Sequence, residues 1–190
     1  EILINRIKKA KNIDQIIVAC TKNSKDEGII NICKKLKIKF YRGSESNVIS
    51  RYFFAAKKYG IKNIIRITAD CPLIDPKVLD SLTKFYLNNK YDYVANTINP
   101  TFPDGMDIEI FNFNSIKERF LAKKIKNENE HVTTGLIKLK KYKKFNFRLK
   151  KNYSNLRITV DTKYDLSILQ KLLKHFRFNF NISLSEILKL

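Results

Sequence analysis

Apolar positions along the chain follow two alternating periods. Residues 2–10 place apolar side chains at helical spacing, and residues 15–19 then form a continuous apolar run of strand length. The same patterns predict further helices at 25–36, 48–59, from Pro76 onward and around 166–173, and further strands at 39–41, 63–68, 91–95 and 156–160. Strands that alternate with helices in this way favour an α/β fold, with a mainly parallel central sheet flanked by helices.

One stretch interrupts the alternation. Residues 96–113 contain two prolines and a glycine, which predict a functional excursion from the sheet. Within it, Asp107 and Glu109 are spaced by two, so an extended strand would place both side chains on one side. No internal repeat or Gly/Ser linker marks a second domain, and residues 1–190 are therefore predicted to form a single domain.

The chain is strongly basic, with 38 Lys and Arg against 18 Asp and Glu and a net charge of +20. Such a charge is compatible with a phosphate-rich partner, whether nucleotide, nucleic acid or membrane surface. The basic residues are spread over the whole sequence, however, and only 138–151 is a dense cluster, which we interpret as a solvated face. Charge alone therefore does not predict a specific nucleic-acid partner.

Neither a membrane span nor a disulfide framework is expected. The apolar stretches are interrupted well before the roughly 18 residues that a spanning helix needs, and residues 1–10 lack the apolar core of a signal peptide. Cys20, Cys33 and Cys71 are odd in number and show no CxxC spacing, which predicts reduced, buried thiols. We expect a cytoplasmic protein.

Asp70 is the first candidate for chemistry. It follows the apolar strand predicted at 63–68, in the segment RITADCPLIDP at 66–76, and a helix begins at Pro76. Ligands of open α/β sheets bind at the carboxyl ends of strands, so a carboxylate at this point would face the ligand crevice. A simple turn cap explains an aspartate here equally well.

Asp161 occupies the same kind of position after the strand predicted at 156–160. Two aspartates at strand ends make a plausible Mg²⁺ site, because this cation is typically held by one or two carboxylates together with phosphates and waters. Asp165 falls in the first turn of the next helix, where a capping role is the preferred interpretation.

Five short segments resemble, in the same order, motifs of the cytidylyltransferases of spore-coat and related surface-polysaccharide biosynthesis. They are RGSE at 42–45 with the following 48–52, RITADCPLIDP at 66–76, TFPDGMDIEIF at 101–111, EHVT at 130–133 and TVDT at 159–162. A more distant similarity runs to the synthetases of CMP-linked acidic sugars such as sialic acid and Kdo. The resemblance covers nearly the whole chain and implies a Rossmann-like nucleotidyltransferase fold.

The resemblance also implies an activity. It is the transfer of a cytidylyl group from CTP to a sugar, an acidic one among the candidates, with release of pyrophosphate and with Mg²⁺ as the cofactor. Asp70 and Asp161 match the metal-binding aspartates of the relatives, and this makes them the predicted catalytic pair. The implied partners are CTP and a sugar, and a homodimer is left open.

Six further residues match the substrate-binding regions of the relatives. Arg42, Ser44 and Arg51 are predicted on the nucleotide side, although a surface turn remains an alternative there. The sugar side is predicted to contain Asp107, Glu109 and His131. Without the resemblance the first two would be read as a hairpin and His131 as a structural hydrogen-bonding residue.

One element of the family pattern has no counterpart in this sequence. Relatives begin with a strand and a glycine-rich basic loop that cradles the CTP phosphates, whereas residues 1–10 resemble the helix that follows that loop. We therefore expect the first strand and the loop to be missing and these 190 residues alone to be inactive. A truncated enzyme and a degenerate, non-catalytic module that binds a sugar nucleotide or a partner are the two alternatives.

Overall fold

A computed structural model of the protein describes residues 1–123 and 125–190. The helices are α1 (Ile2–Ile7), α2 (Glu27–Lys35), α3 (Val48–Tyr59), α4 (Pro76–Leu87), α5 (Phe113–Leu121), α6 (Thr134–Lys138), α7 (Lys163–His175) and α8 (Leu184–Ile187). The strands are β1 (Ile17–Thr21), β2 (Lys39–Gly43), β3 (Asn63–Arg66), β4 (Tyr93–Ala95), β5 (Glu109–Asn112) and β6 (Lys144–Asn146).

The strands form two sheets. β1 and β2 pair in parallel, with Ile17 opposite Lys39. The second sheet has the order β3, β5, β4, β6; β5 is antiparallel to both of its neighbours, and β4 and β6 are parallel. Strands β3, β4 and β6 therefore run in one direction, and β5 runs against them.

The α/β class with a Rossmann-like arrangement is confirmed, but two details of the predicted sheet are wrong. The strands do not form one ladder, because β1 and β2 pair only with each other in the described residues. Residues 156–160 are not a sheet strand either, since Arg157 makes only an isolated bridge to Asp104. The segment 156–160 is not a strand because its backbone hydrogen bonds go to Asp104 and Asp70, which lie in loops, and not to another strand.

Local signals explain the helix boundaries. The side chain of Asn47 accepts a hydrogen bond from the amide of Ser50 and begins α3, while Gly60 at φ +66° ends it. Asp75 caps α4 in the same way, directly before Pro76. Asp165 forms a capping box with Thr162 at the start of α7, which confirms the capping role predicted for it.

Alternation along the strands of the second sheet produces two cores. Ile64, Tyr93 and Phe111 point to one face, where they pack with side chains of α3, α5 and α6. Val94 and Ile110 point to the other, where α4, α7 and α8 cover them. The sheet is thus buried on both sides, as expected of a three-layer α/β arrangement.

The three cysteines are free and buried, as predicted. In the part of the chain that the structure describes, no helix combines the length and the apolar character needed to cross a membrane.

Candidate active site

The directions of the strands bring several predicted residues to one end of the second sheet, which we call the sheet edge. β3 and β4 both end there, at Arg66 and Ala95, and β5 begins there at Glu109, which lies opposite both. Asp70 follows β3 and Asp107 precedes β5, so both belong to the connections at this edge. This is the place where open α/β sheets bind their ligands.

Asp70 and Asp161 come together through the extended segment 156–160. The amide of Val160 donates to the backbone oxygen of Asp70 at 2.8 Å, and the hydroxyl of Thr159 donates to the same oxygen at 3.0 Å. Asp161 is the next residue along the chain. Asp161 therefore directly follows a segment that is hydrogen-bonded to the backbone of Asp70, although 90 residues separate the two aspartates in sequence.

Gly105 allows the connection between β4 and β5 to pack closely against the segment 156–160. The amide of Asp104 donates to Leu156 and the amide of Ile158 donates to Asp104, at 2.9 and 2.8 Å. Gly105 has φ +102°, and a Cβ atom there would lie 2.5 Å from the amide nitrogen of Thr159. Any other residue would push the two segments apart.

An exposed cluster surrounds Arg157. Its guanidinium pairs with Asp104 at 2.5 Å, with Asp165 at 3.3 Å and with Asp161. The side chain of Arg157 is 47 % exposed. Hydrogen bonds from Arg157 and from Thr162 hold the pKa of Asp165 well below its usual range. We call these four residues, Asp104, Arg157, Asp161 and Asp165, the exposed cluster, although the side chain of Asp165 is only 10 % exposed.

Asp107 is a carboxylate in an unfavourable setting for charge. Burial raises its pKa to about 6, with further increases from the negative charges of Asp104, Glu109 and Asp70 and an opposing effect from Arg66. Asp70, predicted on the metal side, therefore lies near enough to Asp107, predicted on the sugar side, for its charge to raise the pKa of Asp107. A carboxyl group that titrates near neutral pH is suited to accept or release a proton.

A second group of residues lies beneath the edge and is buried. Glu109 is 4 % exposed, and its carboxylate pairs with Arg66 through one oxygen. The other oxygen accepts hydrogen bonds of 2.6 Å from the hydroxyls of Tyr93 and Thr133. The guanidinium of Arg66 also donates a hydrogen bond to the hydroxyl oxygen of Tyr52 on α3. We call these five residues, Tyr52, Arg66, Tyr93, Glu109 and Thr133, the buried network.

This network separates the two carboxylates predicted for the sugar side. Asp107 is only partly buried, whereas Glu109 has both oxygens engaged by buried partners. A sugar hydroxyl would have to replace one of these partners to reach Glu109, which costs a buried hydrogen bond to a charged group. Of the pair, Asp107 is the more accessible carboxylate.

The residues predicted for the nucleotide side lie around the ends of β1 and β2. Arg42 donates to the backbone oxygens of Thr21, Lys22 and Asn23 and pairs with Glu27, and thereby organises the loop after β1. Ser44 is exposed, and its hydroxyl accepts a hydrogen bond from the amide of Asn47.

Arg51 lies in the first turn of α3, between this loop and the buried network. A Cβ at Gly43 would come within 2.8 Å of the Arg51 side chain, so the glycine lets that side chain pass close to β2. Its Nε atom and that of Arg66 are buried and have no hydrogen-bond partner among residues 1–123 and 125–190. Both arginines lie close enough to Tyr52 to oppose the effect of burial on its pKa, which is nevertheless raised. Arg51 therefore keeps donor capacity, in contrast to the fully engaged Arg42.

His131 is exposed, on the segment before α6. The hydroxyl of Thr133, two residues later, joins this segment to Glu109. His131 therefore lies two residues before Thr133, a member of the buried network, and its side chain is exposed to solvent.

The donor set at the edge suits a hard cation. Asp70 and Asp161 carry carboxylate oxygens of the kind that Mg²⁺ prefers, and the side chain of Asp161, which pairs with Arg157, is half exposed. No group of three or more His, Cys, Asp or Glu in the described part of the chain is arranged to hold a metal ion. A site of two carboxylates is compatible with Mg²⁺ because this ion commonly completes its shell with waters and substrate phosphates.

The family model described as cytidylyltransferase matches residues 1–174. The chain belongs to the cytidylyltransferase family. This cytidylyltransferase is 34 % identical to the uncharacterized protein MJ1063 of Methanocaldococcus jannaschii, over 99 % of this chain and 77 % of that protein. It is also 24 % identical to the spore coat polysaccharide biosynthesis protein SpsF of Bacillus subtilis, over 100 % of this chain and 81 % of that protein.

Solved structures agree with this membership. A cytidylyltransferase from Leptospira borgpetersenii serovar Hardjo-bovis superposes with a TM-score of 0.94 at 31 % identity, over 99 % of this chain and 80 % of that one. A CMP:2-keto-3-deoxy-manno-octonic acid synthetase complexed with CTP gives a TM-score of 0.67 at 12 % identity, over 92 % of this chain and 88 % of that one. At this low identity the second likeness concerns the fold alone.

Sequence reasoning missed several residues of the cytidylyltransferase site. Arg66 and Arg157 interrupt otherwise apolar segments, and a charged residue in such a segment is a usable signal for a buried or paired role. Tyr93 and Thr133 gave no comparable signal, because a tyrosine in a strand and a threonine before a helix are both ordinary.

Proposed function

We propose that the protein transfers the cytidylyl group of CTP to a sugar and releases pyrophosphate, in the biosynthesis of a surface polysaccharide. Family membership supports nucleotidyl transfer in sugar metabolism. Membership of the cytidylyltransferase family supports CTP as the donor, and the likeness to SpsF supports the polysaccharide role.

One observation carries the proposal. The hydrogen bonds from Val160 and Thr159 to the backbone of Asp70 bring Asp161 to the sheet edge that also presents Asp107. Three carboxylates from distant parts of the chain thereby converge where a phosphate-bearing ligand would bind. Carboxylates that lie near one another disfavour each other's ionised form, as the raised pKa of Asp107 indicates, and a bound cation would relieve that repulsion.

The reaction assigns a role to each residue. The sugar hydroxyl oxygen attacks the α-phosphorus of CTP and forms the new oxygen–phosphorus bond, while the bond from that phosphorus to the departing pyrophosphate breaks. Asp107 accepts the hydroxyl proton, since its pKa of about 6 leaves it ionised at neutral pH yet basic enough for the transfer. Arg51, in the first turn of α3 next to the loop after β2, binds the nucleotide through its guanidinium group.

Asp70 and Asp161 are the residues that would hold Mg²⁺. When bound, the ion supplies positive charge that stabilises the negative charge developing on the phosphates. The role of the two carboxylates is to fix the position of that charge at the edge of the sheet.

Triphosphate binding requires one further element. The glycines of the chain, at 28, 43, 60, 105 and 135, lie outside any basic loop of the family type. We therefore propose that residues 1–190 alone give at most background turnover and that a protein supplied with such a loop is the form to assay.

Asp161→Asn tests the catalytic proposal. We expect turnover to fall at least about 100-fold, because the change removes a charge that acts on the transition state while leaving the fold intact. The measurement is pyrophosphate release by the loop-supplied protein, with CTP and a panel of sugars at saturating Mg²⁺, together with an unfolding curve.

Asp104→Asn is the matched control, since Asp104 also pairs with Arg157 but is not a proposed ligand. It should retain turnover within about tenfold, a loss that includes the lower pKa of Asp107 once the charge of Asp104 is removed. Equal losses in both variants, or near wild-type turnover of Asp161→Asn, would refute the metal role. Absence of turnover together with tight binding of a CMP-sugar would favour the non-catalytic module.

A further inference from the structure

The segment 128–133 is attached to helices α5 and α3. Glu128 forms a buried ion pair with Arg119 of α5, with hydrogen bonds of 2.7 Å to both of its oxygens. The backbone oxygen of Asn129 accepts hydrogen bonds from the first two amides of α3, at 2.7 and 3.2 Å. Both attachments lie before His131 in the chain.

The attachment after His131 is made to the sheet. Thr133 precedes α6, where a threonine ordinarily accepts a hydrogen bond from the helix backbone, but its side chain makes no such bond. Its hydroxyl instead donates to Glu109 at 2.6 Å. Thr133 and Glu109 are each 4 % exposed, and a hydrogen bond from a buried donor to a buried carboxylate is a strong constraint.

These attachments place the segment between the two proposed substrate regions. The helix that contacts Asn129 begins just after Ser44 and contains Arg51. The carboxylate that contacts Thr133 lies two residues after Asp107. Movement of the segment would therefore change the geometry of both regions together.

We propose that Glu109 is a positioning residue that fixes the segment 128–133 against the sheet edge through Thr133, with Arg66 holding its other oxygen. This inference rests on the proposed function in one respect, namely that the sheet edge binds the sugar. Glu109 then acts on the sugar indirectly, through the placement of the segment that contains His131, and not by direct contact.

The test uses Thr133→Val, which keeps the shape of the side chain and removes the hydroxyl. We expect the amides of His131 and Thr134, which donate to the backbone oxygens of Asn127 and His131, to exchange with solvent about tenfold faster. We also expect the KM for the sugar to rise about tenfold with a smaller change in kcat, because the substrate site and not the reacting groups is loosened. Thr133→Ser should restore both values.

Thr83→Val is the matched control, since Thr83 is equally buried at 4 % and its hydroxyl bonds only to the backbone of its own helix. It should leave the exchange rates and the KM within twofold of wild type. Unchanged exchange in Thr133→Val, or an equal rise at the amides of β5, would overturn the inference. If the wild type transfers to no sugar, the proposed function fails while the exchange measurement still decides the positioning role.

Discussion

The buried network and the exposed cluster join an arginine to carboxylates at the same edge of the sheet, but they differ in their access to solvent. The side chains of Arg66 and Glu109 are 20 % and 6 % exposed, whereas those of Arg157 and Asp161 are 47 % and 50 % exposed. The same chemistry therefore has different consequences. A buried pair must be complete to be tolerated, while an exposed pair can exchange one partner for another at little cost.

This difference suits the roles that we propose. Glu109 has no freedom to meet a substrate and is suited to hold neighbouring segments in place. Asp161 shares Arg157 with two other carboxylates, so it can turn to a cation while Arg157 keeps its remaining partners. Under this proposal, burial separates the residues that position the site from the residues that act in it.

The largest expected effect breaks the buried pair. Glu109→Gln removes the charge opposite Arg66 and leaves that cation uncompensated in a mostly buried place, so we expect the free energy of unfolding to fall by about 3 kcal/mol. Denaturant unfolding at neutral pH measures it. Arg157→Gln is the comparison and should give a much smaller loss; losses of equal size would contradict the distinction between the two regions.

An effect of intermediate size is expected in how the free energy of unfolding depends on pH through Asp107. The pKa of Asp107 is raised to about 6, so its native form binds the proton more tightly than the unfolded chain. Stability from this group is complete below about pH 4 and is lost as pH rises toward 6. Asp107→Asn should therefore be more stable than wild type at pH 7.5, by on the order of 1–2 kcal/mol, with the difference vanishing near pH 4.

Unfolding curves of both proteins at several pH values test this expectation, and wild-type turnover should at the same time be lost in the variant. Asp165 titrates with the opposite sign, because Arg157 lowers its pKa and its contribution disappears as pH falls. A wild type that gains stability between pH 4 and 6 relative to Asp107→Asn would show that Asp107 is not held in the setting described here.

The smallest expected effect is the salt dependence of the exposed cluster. The small loss of stability in Arg157→Gln should disappear in about 1 M NaCl, where charges are screened within about 3 Å. The loss in Glu109→Gln should persist at the same salt concentration, because solvent ions do not reach the pair. Unfolding curves at low and high salt separate the two cases, and a salt-sensitive Glu109→Gln would remove the basis of the comparison.

Local sequence signals determined most of the secondary structure. Helix α3 has the predicted bounds, 48–59, because Asn47 and Gly60 terminate it through contacts within a few residues. The capping role of Asp165 could be predicted for the same reason. The ordered motifs also identified the family, since short strings that recur in one order are informative without knowledge of their contacts.

Tertiary structure alone decided which of the predicted residues are free to act. A spacing of two places Asp107 and Glu109 on the same side of the chain, but it does not show that β5 inserts between β3 and β4 and brings Glu109 to Arg66, 43 residues earlier. Nor does it show that Arg157 reaches Asp104 through the close approach that Gly105 permits. Periodicity is a property of neighbours in sequence, whereas burial and charge pairing depend on which distant segments the topology brings together.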